Sequence, residues 1–194
     1  MLITGSSSGI GAATAVQFSK AGAQVVVTGP PDRLPIDTAK KCLKVSPKGL
    51  KALEVTADVT KRKAMRRLVD QTIKRFGKLD ILVNNAGAGL NARPTDENFY
   101  EKYEKVMAIN LNSVVYLTHI CVEYLEKTKG NMINISSNGG KRVYLDFAPY
   151  CMAKCAVNMF TKCMAAELGF KRIRPGAELG LPDVQFWTGL SSFG

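Results

Sequence analysis

The five cysteines of this chain form no CxxC pair. Three of them, Cys151, Cys155 and Cys163, fall on one expected helix, and the others are Cys42 and Cys121. This spacing argues against a zinc site and against a disulfide framework. Free thiols in a reducing, cytoplasmic compartment are the expectation, with no metal. No apolar run is long enough to span a bilayer, so no membrane partner is expected. No signal peptide is visible, because the apolar start runs directly into a glycine turn.

Acid is scarce, and unevenly so. The 194 residues carry 27 Lys and Arg against 16 Asp and Glu, a net charge of +11. Residues 33–78 hold fourteen of the cations and four of the acids, which is nearly the whole surplus. A solvated basic face is the plainer account. The sharper one is attraction of an anion, either a phosphorylated cofactor or nucleic acid. Aromatic residues do not interleave these cations and no nucleic-acid motif is present, so nucleic acid is not an expected partner. Length and a 46% hydrophobic content suit one globular domain with a real core.

What is present begins with a short strand, Met1-Leu2-Ile3, and the turn Thr4-Gly5-Ser6-Ser7-Ser8-Gly9-Ile10-Gly11. Glycines permit a tight turn and let backbone approach a pyrophosphate. The helix that follows aims free N–H groups and its positive end at that phosphate. A glycine triplet alone is weak evidence. This one stands between a strand and a helix, and Gln24 to Val27 supplies the next strand.

The tip of that second strand reports on the cofactor ribose. An acid there reads the 2′-hydroxyl of NAD, and a basic residue accommodates the 2′-phosphate of NADP. The chain reads Thr28-Gly29-Pro30-Pro31-Asp32-Arg33, with no acid at the tip. Arg33 favours NADP(H) and Asp32 argues the other way, so NADP(H) is preferred and NAD(H) stays possible.

Strand and helix then alternate. A helix is expected from about Leu34 to Val45, starting at Pro35 or later. A strand follows from Leu50 to Ala57, ending at Asp58-Val59, where a side chain can bond an adenine. Thr60 is placed to cap a third helix, with Met65, Leu68, Val69, Thr72, Ile73 and Phe76 at helical spacing and Gly77 as its stop. Asp80 to Val83 reads as a buried parallel strand and runs into Asn84-Asn85-Ala86-Gly87. A long helix, residues 97–127, is interrupted by Asn110. Such an Asn is either a satisfied core amide or one that frees a helix carbonyl to hold a water.

The apolar run Met132 to Ile135 ends at Ser137. Thirteen residues on, a helix begins at Tyr150, with Lys154 one turn later on the same face. A free phenol, pKa about 10, transfers protons poorly near neutrality. A nearby ammonium favours the phenolate and lowers that value. The phenol can then act as general acid or base, and a serine hydroxyl can hold the reacting oxygen.

Taken together, Thr4-Gly5-xxx-Gly9-Ile10-Gly11, Asp58-Val59, Asn84-Asn85-Ala86-Gly87, Asn110, Ser137 and Tyr150-xxx-Lys154 resemble the short-chain dehydrogenase/reductase family, in its order and near its spacing. The resemblance covers residues 1–174. It implies a Rossmann-like, doubly wound parallel sheet and an enzyme that moves hydride between NAD(P)(H) and a small alcohol or carbonyl. By that resemblance Tyr150 exchanges the proton with the substrate oxygen and Ser137 orients that oxygen. Lys154 tunes the tyrosine and binds the nicotinamide ribose, and Asn110 holds a water of the proton relay. Gly5, Ser8, Gly9, Ile10, Gly11, Arg33, Asp58, Val59, Asn84, Ala86 and Gly87 would line the cofactor groove, with Tyr150 and Lys154. Helices 97–127 and 150–168 would form a homo-oligomer interface.

The end of the chain departs from the family pattern. Pro175-Gly176 follows Arg174 directly, where the pattern has a sixth strand and then a threonine that grips the carboxamide. A sheet of order 3-2-1-4-5 is expected, lacking the family's last two strands, with residues 175–194 an irregular tail. That leaves the alternative of a truncated, catalytically impaired variant that at most binds nucleotide.

Overall fold

The computed structural model describes residues 1–179. Six parallel strands form one sheet of order β3-β2-β1-β4-β5-β6. In chain order the elements are β1 (Leu2–Ile3), α1 (Gly9–Lys20), β2 (Val26–Gly29), α2 (Ile36–Val45), β3 (Leu53–Thr56), α3 (Arg62–Phe76), β4 (Ile81–Asn84), α4 (Phe99–Met107), α5 (Ser113–Thr128), β5 (Asn131–Ser136), α6 (Ala148–Leu168) and β6 (Arg174–Leu179). The strands are short and β1 and β2 are buried throughout, as expected of a sheet covered on both faces.

Side-chain alternation sorts the core into two layers. Ile3, Val25, Val27 and Val83 face α1 and α2, where Ala15, Ala39 and Cys42 meet them. Leu2, Val26, Val55, Leu82 and Met132 face the other way. They pack on Met65, Leu68 and Val69 of α3, on Leu117, Ile120, Cys121 and Leu125 of α5, and on Leu168 at the end of α6. Order reverses between β1, which is followed in space by β2 on one side and β4 on the other. A crevice opens at the carboxyl ends of the strands at such a point.

The sixth strand corrects the expectation that it is lacking. Arg174–Leu179 pairs in parallel with β5, Arg174 opposite Asn131 and Leu179 opposite Ser136. Pro175 is compatible because of where it falls. The Arg174 N–H donates to the Gly130 carbonyl at 3.1 Å. In a parallel ladder alternate residues bond the same neighbour, so Pro175 turns its missing N–H to the outer edge. Arg-Pro-Gly reads as a turn in sequence, and pairing with β5 overrides that preference. The rest of the expected tail, residues 180–194, lies outside the described residues.

Three further details differ from expectation. Thr60 does not cap α3: its N–H and hydroxyl both bond the Asp58 carboxylate, at 2.8 Å each, and Lys61 takes the N-cap position without a side-chain bond. The long helix is α4 and α5 joined by a π-turn, Ala108–Asn112, which contains Asn110. That helix, Phe99–Thr128, is long and apolar enough by length and composition to cross a membrane. Here Leu117, Ile120, Cys121 and Leu125 of its α5 part lie in the core. Gly77 ends α3 as expected, in the left-handed conformation at φ 70°.

Candidate active site

The glycine turn is clasped to the end of β4. Thr4 Oγ1 accepts from the backbone N–H groups of Asn85, at 2.9 Å, and Ala86, at 3.0 Å. Asn85 Nδ2 donates back to the carbonyls of Thr4, at 2.9 Å, and Gly5, at 3.1 Å. The approach leaves no room for side chains. A Cβ on Gly5, which sits at φ +62°, would meet Ala86 Cα at 2.8 Å, and one on Gly11 would meet Asn85 Nδ2 at 2.4 Å and the Gly5 carbonyl oxygen at 2.6 Å. Ser8 and Gly9 are exposed and Ile10 is half-buried, so the start of α1 stays open. Its first N–H groups lack side-chain caps and are free for an anion.

The rest of the crevice follows from the neighbouring strand ends. Gly29 closes β2, and a Cβ there would lie 2.2 Å from the Arg33 carbonyl oxygen and 2.7 Å from Ser7 Cβ. Arg33 is exposed beside it. Asp58 and Val59 are half-buried past β3, the first engaged by Thr60, the second packed on the core. Asn84 behaves differently from its neighbours. Its side chain is 2% exposed and turned into the protein, where Nδ2 donates to Asn134 Oδ1 at 2.8 Å. Asn134 Nδ2 in turn donates to the Thr161 hydroxyl at 2.8 Å. This buried amide chain ties β4, β5 and α6 together. Asn134 and Thr161 are site-building residues that sequence reasoning did not single out, and Asn85 stood there only as part of its motif. The register of β4 on β5, with Asn84 opposite Asn134, is the signal that would have paired the two amides.

At the end of β5, Ser137 opens a short 3-10 turn, Asn138–Gly140, and its Oγ accepts from the Gly139 N–H at 3.1 Å. Gly139 and Gly140 bring that turn against α6. A Cβ on Gly140 would sit 2.9 Å from the Lys154 backbone, and one on Gly139 would sit 3.3 Å from the rings of Tyr144 and Tyr150. Ser137 thereby stands near enough to the Tyr150 phenol to pull its pKa down. The Lys154 Nζ lies 5.6 Å from the centroid of the Tyr150 ring and donates to the Ile135 carbonyl at 2.9 Å. Asn110 completes the group from the π-turn. Its Nδ2 donates to the carbonyls of Ala88, at 2.7 Å, and Val106, at 2.9 Å, and its buried Oδ1 has no partner. A Cβ on Gly87 would meet that Oδ1 at 2.9 Å and Lys154 Nζ at 3.4 Å. Ser137, Tyr150, Lys154 and Asn110 therefore converge at the carboxyl ends of β4 and β5.

The protonation chemistry differs in one respect from the sequence expectation. Burial raises the Tyr150 pKa, Ser137 opposes that rise, and the neighbouring Cys151 and Tyr144 reinforce it. Lys154 is not among the groups that shift it, and its Nζ donates to the Ile135 carbonyl instead. Burial brings the Lys154 pKa down to about 8. A dinucleotide fits this crevice on three observations: glycines where any Cβ would collide, uncapped N–H groups at α1, and an orphaned Asn110 oxygen beside a buried cation.

Comparison with known proteins agrees with this geometry. The family model for short chain dehydrogenase matches residues 1–177. The chain is 33% identical over 167 residues to L-fucose dehydrogenase of Oryctolagus cuniculus, covering 86% of this chain and 56% of that protein. It is 32% identical over 169 residues to 11-beta-hydroxysteroid dehydrogenase A of Sesamum indicum, covering 87% and 48%. It thus spans about half the length of these relatives. A short-chain dehydrogenase/reductase of unknown function from Caenorhabditis elegans, solved with cofactor, superimposes with a TM-score of 0.83 at 36% identity, over 92% of this chain and 67% of that one.

Burial of Lys154 makes stability depend on pH with a definite sign. Its folded-state pKa of about 8 lies below the 10.5 of the unfolded chain. Between these values the unfolded state binds more protons, so stability rises with pH through that window. The penalty is fully present below pH 8 and amounts to roughly 3 kcal/mol. Urea denaturation of wild type and Lys154→Met from pH 7 to 10.5 should show wild type gaining on the variant as pH rises. Parallel curves would mean that the lysine is not desolvated.

Proposed function

Because the chain belongs to the short-chain dehydrogenase family, we propose that it is an NAD(P)-dependent oxidoreductase interconverting a small-molecule alcohol and its carbonyl. The observation that carries this reading is the meeting of Ser137, Tyr150, Lys154 and Asn110 beside the glycine-walled crevice. The bound nicotinamide supplies or accepts the hydride. In the reducing direction the Tyr150 hydroxyl gives its proton to the substrate oxygen, and burial keeps that proton in place at neutral pH. Ser137 holds the same oxygen by a hydrogen bond. Lys154, alongside the ring, would bind the nicotinamide ribose. Asn110 Oδ1, next to Lys154 Nζ across Gly87, is the acceptor for a water that returns the proton. The alternative of an impaired variant that only binds nucleotide is not favoured, since Ser137, Tyr150, Lys154 and Asn110 are brought together.

NADP(H) is the preferred cofactor in this reading, with NAD(H) also accepted. Gly29 holds the position where an acid would read a 2′-hydroxyl, and its surroundings leave no space for one. Exposed Arg33 is the group for a 2′-phosphate. Gly5, Ser8, Gly9, Ile10 and Gly11 would take the pyrophosphate, and Asp58, Val59, Ala86 and Gly87 would flank the adenosine and ribose. Asn84 would contribute through backbone, given its buried side chain. The five cysteines are free, which suits a cytoplasmic setting. A homo-oligomer through residues 97–127 and 150–168 is supported by apolar side chains left outside, Val115 on α5 and Met152 and Met159 on α6.

Purified protein should oxidise NADPH with some member of a broad ketone panel, and Tyr150→Phe should lower kcat by about 10²-fold or more while NADPH still raises the melting temperature. A folded wild type inert towards the whole panel would count against the reading. Saturation at about 100 times the Kd should stabilise by about 2.7 kcal/mol. NADPH should reach it at a lower concentration than NADH, and Arg33→Ala should erase the difference, as titrated thermal shifts would show. Sedimentation velocity should find a dimer or larger, and a monomer at micromolar concentration would exclude the proposed interface.

A further inference from the structure

The cations along α3 take no part in the chemistry above. Arg62, Lys63, Arg66, Arg67 and Lys74, with Tyr116 of α5, line an open cavity of about 460 Å³ on the flank of the domain. No residue of the glycine turn lines it. Asp70 is the single acid on its wall. Among the described residues none of the five cations forms an ion pair, while Asp37 and Asp80, acids of the same half of the chain, are paired with Lys40 and Lys78.

Two of the arginines are held in place. Arg67 Nη2 donates to the Thr56 carbonyl at 2.7 Å, and the Arg62 guanidinium lies over the Tyr116 ring, 5.6 Å from its centroid. Fixed guanidinium groups lose less freedom on taking up an anion and present forked donors that match phosphate oxygens. The arrangement also works against the helix that carries it. α3 begins with Arg62 and Lys63 and has no acid in its first turn, where negative charge is favoured. Arg62 and Arg66 repel across one turn, as do Lys63 and Arg67. A bound anion would offset both effects.

We propose that this cavity binds a compact polyphosphate, a small molecule carrying at least two consecutive phosphate groups. Its volume is that of a small-molecule site. The cations from Arg62 to Lys74 extend along three turns, about 18 Å, more than one phosphate can engage. The Tyr116 face is covered by Arg62, so it does not offer the platform on which single-stranded nucleic acid stacks.

The test uses the full 194-residue chain and inorganic tripolyphosphate, followed by calorimetry beside sulfate at matched ionic strength, with and without NADPH. Tripolyphosphate should bind about tenfold or more tighter than sulfate and should not be displaced by NADPH. A Lys63→Gln, Arg66→Gln, Lys74→Gln triple variant should weaken it about tenfold with NADPH binding unchanged. If the triple variant does not fold, Arg66→Gln and Lys74→Gln singly should each weaken it about threefold. Affinity no better than that for sulfate would leave a merely solvated basic face and overturn the proposal. Displacement by NADPH, or binding indifferent to the substitutions, would move the anion to the glycine turn and overturn it too. Affinity that keeps growing from tripolyphosphate to long polyphosphate or oligonucleotide would replace the compact ligand by a polymer. A variant changed only in oligomeric state would assign the cations to a second copy of the chain.

Discussion

The close approach of the β1–α1 turn to the end of β4 is the constraint on which the site depends. Thr4 and Asn85 exchange hydrogen bonds across it, and Gly5 and Gly11 have no space for a methyl group. Two consequences follow from this one contact. The start of α1 is held open towards the crevice, and the residues after β4, through Gly87, are directed towards Asn110 and Lys154. A dinucleotide groove and a proton-handling cluster thus share a wall. Substitution in the clasp would disturb both ends together, although neither Thr4 nor Asn85 is a group that reacts.

A second tie sets the far side. α6 carries Tyr150 and Lys154, yet its position on the sheet is not fixed by apolar contact alone. Asn84, Asn134 and Thr161 run from β4 through β5 to α6 as a buried polar chain, and such groups tolerate little displacement without losing partners. The paired glycines after Ser137 let the turn settle on the Lys154 backbone. Serine and tyrosine meet because a strand end and a helix start are both anchored, not because either is locally rigid.

Much of this was readable from the letters. The apolar strand runs, the glycine turn between strand and helix, the stop at Gly77 and the Ser137, Tyr150, Lys154 spacing are local signals with local causes. What escaped was decided by tertiary context. β6 was hidden because Arg174-Pro175-Gly176 has turn chemistry, and only alignment against β5 shows that the proline faces outward. Thr60 looked like a cap, but the Asp58 carboxylate claims it. Asn110 was visible as an interruption, and the π-turn around it was not, because its amide engages carbonyls of Val106 and, across the loop, Ala88. The pKa of Tyr150 depends on how deeply it is buried, which no spacing conveys.

Pro175 also has a meaning for the rim of the sheet. β6 is the last strand in the described order, and on its outward side the proline presents a carbonyl but no donor. A foreign strand docking there would find a ladder with one rung removed near its beginning. The same residue that disguises the strand in sequence therefore makes its outer side a poorer template for chain-to-chain pairing.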